Sequence, residues 1–181
     1  MPTESVEPVR VHGTLVDVAA VGLLLIGRSG IGKSECALEL VMRGHRLVAD
    51  DVVLITLGES GRPEGYSPEL VRHYLELRGI GIVHVPSLFG SSAVSDRGPI
   101  DLVIHLESWE AEAVERLGLE RHTELIAGVE VDALRLPVAP GRNVAALVEV
   151  AARNLRMQRS GRVAAAELDE RVMETLRGKL L

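Results

Sequence analysis

Eight consecutive residues, Gly27 to Ser34, read GRSGIGKS and constrain this chain more than any other stretch. They satisfy G-x-x-x-x-G-K-[ST], with Gly27, Gly32, Lys33 and Ser34 in the required places. Before them stands an apolar run, VGLLLI (21–26), and after them a segment with helical spacing, SECALELVMRG, closed by Gly44. A glycine turn between a buried strand and a helix is the layout of a phosphate-binding loop. The spacing has a physical reason. Glycines let the backbone N–H groups of Gly27, Arg28, Ser29, Gly30, Ile31 and Gly32 face an anion, and the helix starting near Lys33 points its positive dipole end at the same place. Lys33 brings a charge to the terminal phosphates. Ser34 offers a hydroxyl oxygen to Mg²⁺, a hard cation that takes oxygen ligands.

The rest of the chain narrows the choice. Its 181 residues fit one domain, read here as a single phosphate-loop catalytic unit over 1–181 with a helical C-terminal extension from about residue 143. A net charge of −6 argues against a nucleic-acid surface, and 2% aromatic residues leave few stacking platforms for bases, so recognition leans on phosphates. VGLLLI is too short to cross a bilayer and MPTESVEPVR lacks the layout of a signal peptide, so a cytoplasmic location without membrane contact is expected. The single cysteine, Cys36, excludes an intrachain disulfide and reads as a small core residue on a helix.

Periodicity gives an α/β chain. VRVHGTLVDV reads as a strand or hairpin arm, and RLVADDVVLITL as a strand with an acidic interruption. ELRGIGIVHV, IDLVIHLE and VEVDALRLPV are further β-branched runs. Gly58 to Glu69 and Gly90 to Pro99, rich in Gly, Pro and Ser, read as surface loops. NVAALVEVAARNLRMQRSG predicts a helix capped by Asn143 and stopped by Gly161, and ELDERVMETLRGKLL one more amphipathic helix.

Polar residues outside the loop decide the chemistry. Asp50 and Asp51 are adjacent carboxylates in an apolar stretch, expensive if buried unpaired, which suggests a cation or a proton-transfer role. One could accept the proton of an attacking hydroxyl while the other orients the metal or Lys33. Strand alternation would aim them oppositely, so at most one should face the phosphate. Glu76 and Arg78 share a face at i, i+2 and could serve Mg²⁺ and phosphate charge, or form an ordinary cross-strand ion pair. The histidines show no zinc spacing, and His12, followed by Gly13, is the one that stands out. PVAPGRN, Pro137 to Asn143, forms a rigid turn that displays Arg142 at a helix entrance.

Taken in order, VHGTLVDV, GRSGIGKSECALELVMRGHRLVADD, ELRGIGIVHV, LFGSSAV, ERLGL and PVAPGRNVAALVEVAARN resemble the catalytic domain of the bacterial HPr kinase/phosphorylase family, from about residue 9 to residue 175. The resemblance implies a phosphate-loop fold of the HPr kinase/phosphoenolpyruvate carboxykinase type with C-terminal helices. It also implies Mg²⁺-dependent transfer from ATP, or pyrophosphate, to a serine of the phosphocarrier protein HPr, with reverse phosphorolysis, in a hexamer. By position, Asp51 would be the base, and Lys33 would stabilise the transferring group. Ser34 and Glu76 would hold Mg²⁺, while His12 and Arg116 would complete the charged site. The family's phosphorolysis segment falls on Pro137, Val138, Ala139, Pro140, Gly141 and Arg142, with Asp50 and Arg78 in supporting places. The chain departs from the family pattern at His84, where Asp or Asn is expected, and at Ser91–Ser92. It also begins almost at the catalytic segment, where family members usually carry an N-terminal domain, so it reads as a trimmed or short form. Two alternatives stay open: a kinase of the same fold for another acceptor, and a nucleotide-binding sensor without transfer.

Overall fold

A computed structural model describes residues 7–108, 122–161, 168, 171–173 and 175. In chain order the strands are β1 (Val9–His12), β2 (Thr14–Val18), β3 (Val21–Ile26), β4 (Arg46–Ala49), β5 (Val52–Leu57), β6 (Pro63–Tyr66), β7 (Tyr74–Leu77), β8 (Gly81–His84), β9 (Arg97–Pro99), β10 (Leu102–Ser108), β11 (His122–Ile126) and β12 (Val129–Val138). The helices are α1 (Lys33–Met42), α2 (Val85–Phe89) and α3 (Val144–Arg159). Among the described residues no helix is long and apolar enough to cross a membrane.

VGLLLI has no polar alternation because β3 is buried on both faces, as continuous apolar strands usually are. It lies inside a six-stranded sheet ordered β11-β12-β10-β3-β2-β4, parallel to β10, which is itself parallel to β12, and antiparallel to β2. Successive β3 side chains serve different layers. Leu23 and Leu25 pack with Val16, Ile104, Leu40 of α1 and Val148 of α3, whereas Leu24 packs with Leu15, Val103, Val53 and Ile55. The second group belongs to the interface with an antiparallel sheet ordered β1-β5-β6-β9. The result is three layers, helices over the large sheet over the small one. A β7–β8 hairpin is separate.

The two sheets approach most closely where side chains are missing. A Cβ on Gly22 would lie 1.6 Å from the Pro99 carbonyl oxygen. Here Gly22 N–H donates to the Asp101 carboxylate at 2.9 Å, and Arg159 of α3 clamps the same carboxylate at 2.7 Å.

Two readings from composition change. Pro63–Tyr66 and Arg97–Pro99 are strands of the small sheet rather than loop. Their Pro and Gly content hides the pairing, yet Gly65 is what lets β6 lie against Leu15 and Val53, since a Cβ there would stand 2.5 Å from Leu15 Cδ2. VRVHGTLVDV and RLVADDVVLITL each split into two strands that lie in different sheets. The chain crosses from one sheet to the other at Gly13 and again at Asp50–Asp51. The crossings lie side by side, with Gly13 N–H donating to the Asp51 carbonyl at 3.2 Å.

The helix ends follow the sequence. Gly44, at φ 90°, closes α1: its N–H reaches the Val41 carbonyl and that of His45 the Leu40 carbonyl, the paired closure that a left-handed residue permits. Asn143 caps α3, its side chain accepting from Ala146 N–H at 2.8 Å, and Gly161 follows its end at φ 87°. Cys36 is buried on α1, and burial pushes its thiol up to about 12. The predicted final helix lies largely outside the described residues; those that are described, 168, 171–173 and 175, are helical.

Candidate phosphate-binding and transfer site

The phosphate loop begins where β3 ends and closes into α1. Gly32, at φ 105°, occupies the helix N-cap position with no side chain to cap it, so the first amides of α1 stay open toward the loop. Lys33 is buried, 6% exposed, and folds back so that Nζ donates to the carbonyls of Gly27 at 2.9 Å and Arg28 at 3.3 Å. Two carbonyls thus hold the Lys33 Nζ beside the loop. Arg78, in the turn after β7, adds a second charge: a Cβ on Gly30 would meet its guanidinium at 2.5 Å.

The carboxylates come from the crossings between sheets. Asp50 is buried, 6% exposed, and accepts from Thr14 Oγ1 at 2.6 Å, from Ser34 Oγ at about 2.9 Å and, weakly, from Glu76 N–H at 3.4 Å. Burial drives its carboxyl above the ordinary range, and the hydroxyls of Thr14 and Ser34 and two backbone amides offset this only in part. Among the described residues no cationic side chain pairs with Asp50. Asp51 is the opposite case: its side chain is 66% exposed, and its carboxylate meets His12 Nδ1 at 3.1 Å.

Both aspartates line one cavity of about 130 Å³ together with His12, Ser29, Lys33, Ser34, Glu76 and Arg78. The alternation argument, which aimed at most one of them at the phosphate, therefore fails. Asp50 and Asp51 lie between β4 and β5 rather than inside a strand, and Asp51 has φ 65°, so the pair does not alternate as strand residues do.

Other predicted residues fall elsewhere. Val138, Gly141 and Arg142 line a second cavity of about 390 Å³ with Ile31, Gly32 and Glu35, beside the loop but apart from Asp51; Pro137, Ala139 and Pro140 line neither cavity. Arg116 lies outside the described residues. His84 lines neither cavity; its ring packs against Tyr74 and its Nδ1 lies 2.7 Å from Ser87 Oγ. Sequence reasoning missed Thr14, the fully buried hydroxyl that holds Asp50. The only signal was a threonine opening an otherwise apolar strand, directly after the glycine of a crossing.

The donors suit Mg²⁺. Ser34, Asp50 and Glu76 are oxygen groups on one wall, and a buried carboxylate without a cation is the environment that a hard divalent ion relieves.

The family model described as HPr Serine kinase C-terminal domain matches residues 4–172. The HPr kinase/phosphorylase of Bacillus cytotoxicus is 51% identical over 167 residues, covering 92% of this chain and 54% of that protein. That of Caldanaerobacter subterraneus subsp. tengcongensis is 50% identical over 169 residues, covering 93% and 55%. The solved HPr(Ser) kinase/phosphatase from Coxiella burnetii superposes with a TM-score of 0.77 at 36% identity, over 84% of this chain and 93% of that one. The chain spans about half the length of the curated relatives it matches.

Proposed function

This chain belongs to the HPr serine kinase C-terminal domain family, and we propose that it transfers a phosphoryl group from ATP, or pyrophosphate, to a serine of HPr or an HPr-like carrier, and reverses the transfer by phosphorolysis. The observation that carries this reading is the sharing of one small cavity by Lys33, Ser34 and the exposed Asp51 carboxylate. A phosphate loop alone would serve a switch or a motor equally well. An exposed carboxylate beside it, with room for an incoming alcohol, is what a kinase needs.

The residues divide the work. Asp51 takes the proton of the serine hydroxyl as its oxygen bonds to phosphorus and the bond to the departing ADP or phosphate breaks. In the reverse direction the same carboxylate returns that proton. His12 holds the Asp51 carboxylate in place, and Lys33, with Arg78 nearby, offsets charge on the transferring group. Asp50 accepts a hydrogen bond from the Ser34 hydroxyl and so leaves that oxygen's lone pairs open to a cation. Mg²⁺, held by Ser34 and Glu76, would screen phosphate charge. Arg116 is assigned to the same charged site, and Pro137 to Arg142 to the phosphorolysis direction. The reading carries with it one catalytic unit over residues 1–181, a cytoplasmic location and a hexamer, the last measurable by light scattering.

Incubation with ATP, Mg²⁺ and purified HPr, followed by mass spectrometry, tests the reading. Phosphoserine on HPr is expected. Its absence alongside intact nucleotide binding would leave a sensor or a different acceptor.

A further inference from the structure

The cavity that joins Lys33, Ser34 and Asp51 measures about 130 Å³, while sites that enclose a drug-sized molecule run to about 300–1,000 Å³. It is a space for phosphates. A nucleoside attached to them has to lie elsewhere, and the transfer itself fixes where. In an in-line displacement the attacking and leaving oxygens stand on opposite sides of phosphorus. Asp51 and His12 belong to the two crossings on the β2–β4 flank of β3, so the acceptor enters there and the leaving group faces the other flank. On that flank β3, β10 and β12 run parallel, and their carboxyl ends form the edge where open α/β sheets collect ligands.

The second cavity lies on that flank, between the first turns of α1 and the turn joining β12 to α3. At about 390 Å³ it falls in the small-molecule range. It shares Gly32 and Glu35 with the phosphate cavity, so the two adjoin across the helix start. Its lining suits a base and a sugar. Ile31, Cys36, Val138 and Val144 offer aliphatic surface, and the exposed Glu35 offers a carboxylate of the kind that accepts hydrogen bonds from ribose hydroxyls.

We propose that the nucleoside of the phosphoryl donor occupies the cavity between α1 and residues 138–145, with Glu35 accepting from its ribose, so that this cavity separates nucleotide donors from pyrophosphate. The proposal rests on the phosphoryl-transfer reading, and it gives the PVAPGRN turn a role in donor choice. ADP and pyrophosphate, each with Mg²⁺, are titrated calorimetrically into the full chain and two variants, which needs no acceptor and no turnover. Val144→Phe, which fills the cavity, should weaken ADP by at least about tenfold and pyrophosphate by less than about twofold. Glu35→Gln, at an exposed position that leaves the fold intact, should weaken ADP by roughly three- to fivefold through the lost charge on one hydrogen bond. Equal losses for both ligands, or none for either, overturn the subsite, as does wild-type binding of pyrophosphate without ADP. Binding of neither ligand by the wild type would sink the phosphate-site reading itself, and failure of HPr phosphorylation with normal ADP binding would sink only the acceptor.

Discussion

The two walls of the candidate site are built by different routes. The phosphate wall is eight consecutive residues between one strand and one helix, and its geometry is local: glycines with positive φ, an open helix start and a lysine folded back over six residues. The carboxylate wall has no local geometry of its own. His12, Thr14, Asp50 and Asp51 come from two stretches some forty residues apart, joined only because the chain passes between the same two sheets twice. A local wall depends on its own backbone, whereas an assembled wall depends on the sheets staying together.

Four changes would break or sharpen that contrast. The largest effect is expected for Gly22→Ala. The new methyl would collide with the Pro99 backbone, so the sheets must part at a loss of about 3 kcal/mol or more, the upper end of what overpacking costs. Urea denaturation measures it, and a loss under about 1 kcal/mol would show that the sheet contact yields easily. Next comes Asp51→Asn, which removes the proposed base from the assembled wall and leaves the local one. Transfer should fall by about 10²- to 10⁴-fold while calorimetric ADP affinity stays within a few-fold; parallel losses would mean that the walls are not separable.

A smaller effect concerns pH. Burial raises the Asp50 carboxyl above its ordinary 3.8. Because the folded value exceeds the unfolded one, its contribution to stability is full below the unfolded value and is lost as pH rises through the folded value. Melting temperatures recorded between about pH 4 and 7 should therefore show a declining component that Asp50→Asn abolishes. Added Mg²⁺ should shrink the same component in the wild type, and its persistence in the variant would assign it to another group. The smallest change is Asn143→Ala, which removes the α3 cap and should cost about 1 kcal/mol, a fall of about 2–4 °C in Tm for a chain of this size.

The legibility of the site divides along the same line. GRSGIGKS, the Gly44 closure and the Asn143 cap could be read directly because each is specified by residues within one turn of one another. The aspartate pair could be singled out from the sequence but not oriented. Two carboxylates in an apolar stretch announce a cation or a proton, yet whether they alternate depends on where the strand stops, and here it stops at Ala49. The strands Pro63–Tyr66 and Arg97–Pro99 escaped notice because their Gly and Pro residues serve close sheet contact, and composition registers the same residues as loop.

By itself, then, the sequence determined the glycine turn, the helix boundaries and the fully apolar strand that feeds the turn, since backbone conformation and capping are decided by neighbours in the chain. Only the tertiary structure decided that Thr14 would hold Asp50 beneath Ser34, that Asp51 would stand exposed against His12, and that a larger cavity would open beyond Gly32. Those outcomes depend on which strands pair and how closely two sheets can approach, and the free energy that settles them is spread over a core contributed by the whole chain.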